Sequence, residues 1–372
     1  MLKRDLNSKD SGMIYIFSYI MMLIAQLVIL GANGLDNKVS DKLIWTILIA
    51  NQAVFFFMTL VYFGFKRVNP FMTAGFTRPL NAKQILMLPV ITILLLLSSA
   101  PIATLFSVLL EKLGYTLNDS MPDFTSIKAK ILAIVVIGML PAIGEEFLFR
   151  NAILRGMKKK GYLLSAILTS VLFSLMHGNV YQLIHQFFVG MALAFVMQTT
   201  GNLLAPMIIH ATNNLIAVGI AFIPQTENEA AAAAGSDTAL IIGAVVMILF
   251  FSVILIMALK YFMRLEKDKR LCQEVIDLEK KGFWRNYVNT AGSMLKFLTS
   301  NKRAKEYCAN YNTVMEELDY YKEEEVIDES DIFAVLENRR DNLNAVKLAI
   351  LGASFMVVLS FFMEIIAKRF QL

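Results

Sequence analysis

Only two cysteines and three histidines occur in the 372 residues. The thiols, Cys272 and Cys308, stand far apart and outside the long apolar runs, which argues against a disulfide framework and a thiolate metal centre. Charged residues make up 17% of the chain and the formal net charge is +5. The positive excess collects in loops between apolar runs rather than in a basic domain, so no nucleic-acid partner is implied. The internal repeat expected of many secondary transporters is also missing.

Apolar length is what the sequence has in abundance. Hydrophobic residues make up 57% of the chain, and runs of about 20 recur, each long enough to cross a bilayer as a helix. Spans are expected at Met13–Leu30, Leu43–Phe65, Ile85–Leu110, Ile131–Phe149, Tyr162–Met176, Val180–Thr199, Leu203–Ile223, Ala239–Tyr261 and Ala345–Ile366. The fold class is therefore all-α, a polytopic transmembrane helix bundle with about nine spans. Lys3 and Arg4 ahead of the first span imitate a secretory signal, but the apolar run outlasts a usual signal core, so an uncleaved helix is expected.

Lysine and arginine set the orientation, because cytoplasmic loops near span ends are enriched in them. Lys3, Arg4 and Lys9 precede the first span. Lys66, Arg67, Arg78 and Lys83 lie between the second and third, Arg155 and Lys158–Lys160 between the fourth and fifth, and Lys260, Arg264, Lys267, Lys269 and Arg270 follow the eighth. All four groups are expected on the cytoplasmic side. Lys368 and Arg369 after the last span fit this alternation poorly.

Residues 1–126 then form N-terminal transmembrane helices and loops, 127–263 a transmembrane core, 264–344 a soluble insert and 345–372 a last transmembrane helix. The insert is basic in its first half and acidic in its second, through Glu316-Glu317, Glu323-Glu324-Glu325 and Asp328-Glu329. It reads as a small helical cytoplasmic unit whose halves pair with each other. The alternative is a surface for a cytoplasmic partner or anionic lipid.

Chemistry is concentrated in a few polar residues within apolar spans. Glu145 and Glu146 sit together in the fourth span, followed by Arg150. A carboxylate near a bilayer centre costs ~2.5–3.5 kcal/mol, so two adjacent ones point to an interior site with a function. Glu146 and Arg150 stand four apart and can pair along their helix, while Glu145 is rotated by about 100° and can point elsewhere. His177 follows Phe173 by four residues on the fifth span, and Asn214 follows His210 by four on the seventh, so each pair shares a helix face. His185 has no such partner and reads as structural.

Glu145 and His177 lie equally far in sequence from Gly161 in the turn between the fourth and fifth spans. At 1.5 Å per residue each is about 24 Å from the turn, and the two can meet laterally. His210 starts closer to the Thr200-Gly201 turn. It is expected to reach the others only if helices tilt, bend or break, for which Pro141, Gly144, Gly178 and Pro206 are available.

A hydrolytic site needs a base for water and donors for the oxyanion, and these residue types can supply both. Glu145 with His177 is the candidate pair for holding and deprotonating the water, and His210 with Asn214 for stabilising the oxyanion. Glu146 and Arg150 would orient the helix and screen the site. No serine or cysteine in these spans has a plausible activating partner, which argues against a covalent nucleophile. Two histidines and a carboxylate, here His177, His210 and Glu145, are also the donor types of a catalytic zinc site, so Zn2+ and metal-free glutamate mechanisms both stand open.

Taken together, Glu145-Glu146-x-x-x-Arg150, Phe173-x-x-x-His177 and His210-x-x-x-Asn214, in that order on successive apolar segments, resemble the CAAX protease and bacteriocin-processing (CPBP, or Abi) intramembrane endopeptidases. The text Thr200-Gly-Asn-Leu-Leu-Ala-Pro-Met-Ile-Ile-His210 is similar as well, and the resemblance spans roughly Ile131 to Ile223. It implies an intramembrane endopeptidase with Glu145, rather than Glu146, as the catalytic carboxylate. The family is often labelled as metalloproteases.

The expected partners are a membrane-associated peptide or protein substrate and the lipid bilayer. The expected location is a bacterial plasma membrane. The expected roles are peptide maturation, bacteriocin immunity or cleavage of a membrane-bound regulator. The competing classes are a non-enzymatic scaffold or immunity protein and, less well supported, a proton-coupled transporter.

Overall fold

The computed structural model describes residues 6–33, 40–115, 122–223, 237–266 and 344–370. Nine main helices cover them: α1 Ser8–Ala32, α2 Asp41–Lys66, α3 Ala82–Lys112, α4 Ile127–Leu154, α5 Tyr162–Met176, α6 Leu183–Thr200, α7 Leu204–Ala221, α8 Asp237–Arg264 and α9 Asn344–Phe370. Each expected span has its helix. Eight are long and apolar enough to cross a membrane, and α5, with 15 residues, is a shorter apolar helix. The chain is a multi-pass membrane protein. The insert expected at 264–344 falls almost wholly on residues 267–343, outside those described.

The starts of the first helices are written into the sequence. Asn7 caps α1 in a reciprocal box with Asp10, Ser40 caps α2, and Asn81 forms the same kind of box with Gln84 at the start of α3. Each supplies a side-chain acceptor to backbone N–H groups that the first turn leaves unpaired.

The loops expected to be cytoplasmic meet at one end of the bundle. Ser11 Oγ donates to the Ile153 carbonyl at 2.8 Å, Lys66 pairs with Asp10, and Asn81 Nδ2 donates to the Leu265 carbonyl at 3.1 Å. Helix α9 begins at this same end, where the backbone of Ala345 and Val346 lies against Gly12 of α1. It runs to the opposite end, where Phe361 stacks on Tyr115 beyond α3 and the Tyr181 hydroxyl donates to the Tyr115 carbonyl. A ninth helix returning to that side is what leaves Lys368 and Arg369 out of step with the basic loops.

Helix α8 lies along α3, and Ile242, Val246, Leu249, Phe250, Val253 and Met257 face outward. That apolar, solvent-averse surface is what a lipid-facing helix requires. The core joins Leu148, Phe149, Ile153, Leu168, Leu172, Phe173, Val189, Leu193 and Ile209 of α4 to α7 with Ile14, Tyr15, Phe63, Leu88 and Ile91 of α1 to α3, all fully or almost fully buried.

Candidate active site

Helix α4 carries the carboxylates, and it is not a uniform helix. It widens into π-helical turns at Ile134–Met139 and Phe147–Leu154, on either side of an α-helical stretch, Leu140–Glu146, that ends on the two glutamates. Wide turns of this kind recur at functional sites. Pro141 brings no N–H, so the Ile137 carbonyl four residues earlier loses its α-helical donor. The Asn214 side chain replaces it, donating from Nδ2 to that carbonyl at 3.2 Å.

Both glutamates converge on one imidazole. Glu146 Oε1 lies 2.7 Å from His210 Nδ1 and accepts from Arg150 Nη1 at 3.0 Å. Glu145 Oε2 lies 3.8 Å from His210 Nε2. The cluster is enclosed: Glu146 and Arg150 are 0% exposed, His210 3% and Glu145 7%. The pairing of Glu146 with Arg150 along the helix is as the spacing predicts. The sequence does not reveal that Glu146 also holds His210, so Glu146 does more than orient α4.

Arg150 is fixed on three sides. Its other terminal nitrogen donates to the Gly190 carbonyl of α6 at 3.2 Å, and the guanidinium lies over the Phe173 ring, 4.5 Å from the centroid. Phe173 links the two catalytic candidates on α5 and α7, with its ring edge-to-face with His177 at 5.0 Å and with His210 at 5.8 Å. Two hydrogen-bond acceptors and an aromatic face compensate part of the lost hydration of this buried guanidinium, whose Nε has no hydrogen-bond partner among the described residues.

His177 is the C-cap residue of α5 and is half-buried. Its Nδ1 lies 2.9 Å from the Phe173 carbonyl. A carbonyl only accepts, so this contact places the proton on Nδ1 and leaves Nε2 of a neutral ring as the acceptor. The ring is within electrostatic range of Glu145 and His210. His185 pairs with Ser99 of α3 through Nδ1 at 3.2 Å, which gives it the structural partner that its own helix lacks.

His210 reaches the glutamates without a break in α7. The helix is continuous from Leu204 to Ala221, and Pro206 falls in its first turn, where a missing N–H costs nothing. The expected obstacle disappears because the turn between α6 and α7 is itself recessed: Thr200 and Asn202 are each 3% exposed and Leu203 0%. The segment after α2 closes beneath it. Leu203 N–H donates to the Ala74 carbonyl, Asn202 Nδ2 to the Arg78 carbonyl and Asn151 Nδ2 to the Pro70 carbonyl, while Phe71 and Phe76 pack on Phe147. Counting residues from this turn therefore underestimates depth.

Sequence reasoning missed Gln52 of α2, whose Nε2 donates to Glu145 Oε1 at 2.9 Å. The visible signal was an adjacent amide pair, Asn51-Gln52, inside an apolar span. Asn214 lies one turn from His210 as expected, but among the described residues no hydrogen bond joins the two. Its amide bonds Ile137, and its Oδ1 accepts from Asn213 Nδ2 at 3.1 Å.

The donor types suit zinc. Among the described residues no three His, Cys, Asp or Glu side chains come together as a group able to hold a metal ion, and Glu145, His177 and His210 are no exception.

Residues 127–216 match the family model described as Rce1-like, type II CAAX prenyl endopeptidase. The match covers about a quarter of the chain and contains Glu145, Glu146, Arg150, Phe173, His177, His210 and Asn214. It agrees with the resemblance carried by the three motifs. Comparison with curated proteins and with solved structures gives no match.

Proposed function

We propose that this multi-pass membrane protein, Rce1-like over residues 127–216, is an intramembrane endopeptidase that hydrolyses a peptide bond of a membrane-associated protein or peptide. The observation that carries the reading is the disposition of the Glu145 carboxylate. Gln52 holds its Oε1, while Oε2 has no hydrogen-bond partner among the described residues and faces His210 Nε2 within an enclosed polar cluster.

In this reading a water lies between Glu145 Oε2 and His177 Nε2. The first takes its proton as the oxygen attacks the scissile carbonyl, and the second orients it. The proton then passes from Glu145 to the leaving amine, which restores the carboxylate. The developing oxyanion is met by His210 Nε2–H and by the Asn214 N–H not committed to Ile137.

This assignment requires His210 to carry a proton on each nitrogen, with Nδ1–H on Glu146. Two carboxylates, one guanidinium and one imidazolium then sum to zero, the balance a water-poor interior requires. The metal-free form of the mechanism is the one proposed. The location proposed is a bacterial plasma membrane, where the basic loops at one end of the bundle face the cytoplasm.

The test compares membrane-bound and released peptides, by mass spectrometry, from host cells carrying either the native chain or Glu145→Ala at matched abundance. Fragments present only with the native chain are expected, and their ends name the cleaved bond. Identical peptide profiles would return the protein to the class of scaffolds.

A further inference from the structure

We infer that Gln52, on α2 and outside the Rce1-like segment, is a positioning residue that fixes the direction of the Glu145 carboxylate by holding one oxygen and leaving the other free to face the reaction. The inference rests on the endopeptidase reading. A glutamine within an apolar span needs a polar partner, and this one finds it 93 positions away in sequence. Its Nε2 donates to Glu145 Oε1 at 2.9 Å, and its own Oε1 has no hydrogen-bond partner among the described residues. The amide therefore serves the carboxylate alone.

The bond exists because α4 lacks a side chain at the neighbouring position. A Cβ built on Gly144 would lie 2.9 Å from both the backbone oxygen and the side-chain oxygen of Gln52. Any larger residue there would push α2 outward and draw the amide off Glu145. A glycine directly before the catalytic candidate thus brings the two helices close enough for the hydrogen bond to form.

The consequence is chemical. An untethered glutamate carboxylate turns about three side-chain bonds and keeps no one direction. With Oε1 held, Oε2 is the one directed at His210 Nε2, 3.8 Å away. His210 Nε2 of α7 lies 3.8 Å from Glu145, and His177 of α5 and Arg150 of its own helix act on it electrostatically. Gln52 is an uncharged contact, so it fixes direction without altering the charge balance. A base pre-set in the attacking geometry lowers the barrier without tightening substrate binding.

The experiment uses the purified full chain in liposomes and a quenched-fluorescence decapeptide library carrying an N-terminal palmitoyl group, with kcat and KM measured on the best-cleaved member. Gln52→Met keeps length and volume but has no donor, and Gln52→Asn keeps the amide but draws it back by one methylene. Both are expected to lower kcat by about 10- to 100-fold with KM within about twofold of native. Asn51→Leu removes the neighbouring bond from Gln26 to Asn51 and is expected to leave kcat unchanged.

Native kcat in Gln52→Met would overturn the inference, as would a rise in KM at constant kcat, which would make Gln52 a substrate contact. An equal loss in Asn51→Leu would reduce the effect to loosening of α2 and overturn it too. These outcomes are separable from failure of the parent reading, which is signalled by Glu145→Ala cutting the same peptide at the native rate. That result would overturn both.

Discussion

His210 Nδ1 and Glu146 Oε1 are 2.7 Å apart, joining two helices through a carboxylate oxygen that Arg150 also holds. Glu146 is thus shared between a cation on its own helix and an imidazole on α7. Removing its carboxylate strands a fully buried guanidinium. Glu146→Ala is expected to destabilise the protein by about 3–5 kcal/mol, the range for breaking a buried ion pair from one side. Thermal unfolding in detergent micelles, run beside Glu145→Ala, checks this. Glu145 has no cationic partner of comparable closeness, so its variant should unfold nearer to the native temperature.

Arg150→Lys tests whether charge alone suffices at the centre of the cluster. The guanidinium bonds Glu146 and the Gly190 carbonyl at once and lies over Phe173. An ammonium keeps the charge but not the planar fork. Without the hydrogen bond to the Gly190 carbonyl, a cost of roughly 1.5–3 kcal/mol is expected in the same unfolding measurement. A lysine variant as stable as native would show that the fork and the ring contact contribute little.

The helices were legible because apolar length is a local property, and so was the pairing of Glu146 with Arg150, which depends only on the pitch of α4. The depth of His210 was not. It depends on residues 69–78 folding beneath the turn between α6 and α7, a contact between segments more than 120 residues apart, as in the bond from Asn202 to the Arg78 carbonyl. Gln52 was hidden for a similar reason. Its partner is set by how closely α2 approaches Gly144, and no periodicity in either helix encodes that distance. Pro141 and Gly144 were legible as irregularities, but their effects, a freed carbonyl and a close approach, appear only with the neighbouring helices in place.

Gly144→Ala follows directly from that approach. The added methyl meets the backbone oxygen of Gln52 at 2.9 Å, and backbone cannot swing aside as a side-chain end can. Overpacking of this kind costs typically about 1–3 kcal/mol. The variant is expected to lose stability by that amount and to lose peptide cleavage with it, because α2 must move away from Glu145. Native cleavage by a stable Gly144→Ala protein would show that the two helices separate without consequence for the site.

Metal dependence has a plain expectation. The described residues hold no group of three metal-binding side chains, so cleavage by protein treated with a strong chelator and passed into metal-free buffer should equal that of untreated protein. Loss of activity restored by Zn2+ would require His177, His210 and Glu145 to close around an ion by a rearrangement of α4, α5 and α7.

In the proposed mechanism Asn214 has two tasks, and they can be pulled apart. Its Nδ2 donates to the Ile137 carbonyl, which lacks an α-helical donor because residue 141 is proline. Asn214→Leu leaves that carbonyl without its side-chain donor, at an expected cost of about 1–3 kcal/mol. In a Pro141→Ala background a backbone N–H returns at the right position, so the same substitution should cost less, with a coupling of at least about 0.5 kcal/mol in a double-mutant cycle of unfolding. Cleavage should not recover in parallel. If the second N–H of Asn214 stabilises the oxyanion, the double variant regains stability and stays inactive. Recovery of both would reduce Asn214 to a support for α4 and leave His210 as the oxyanion donor.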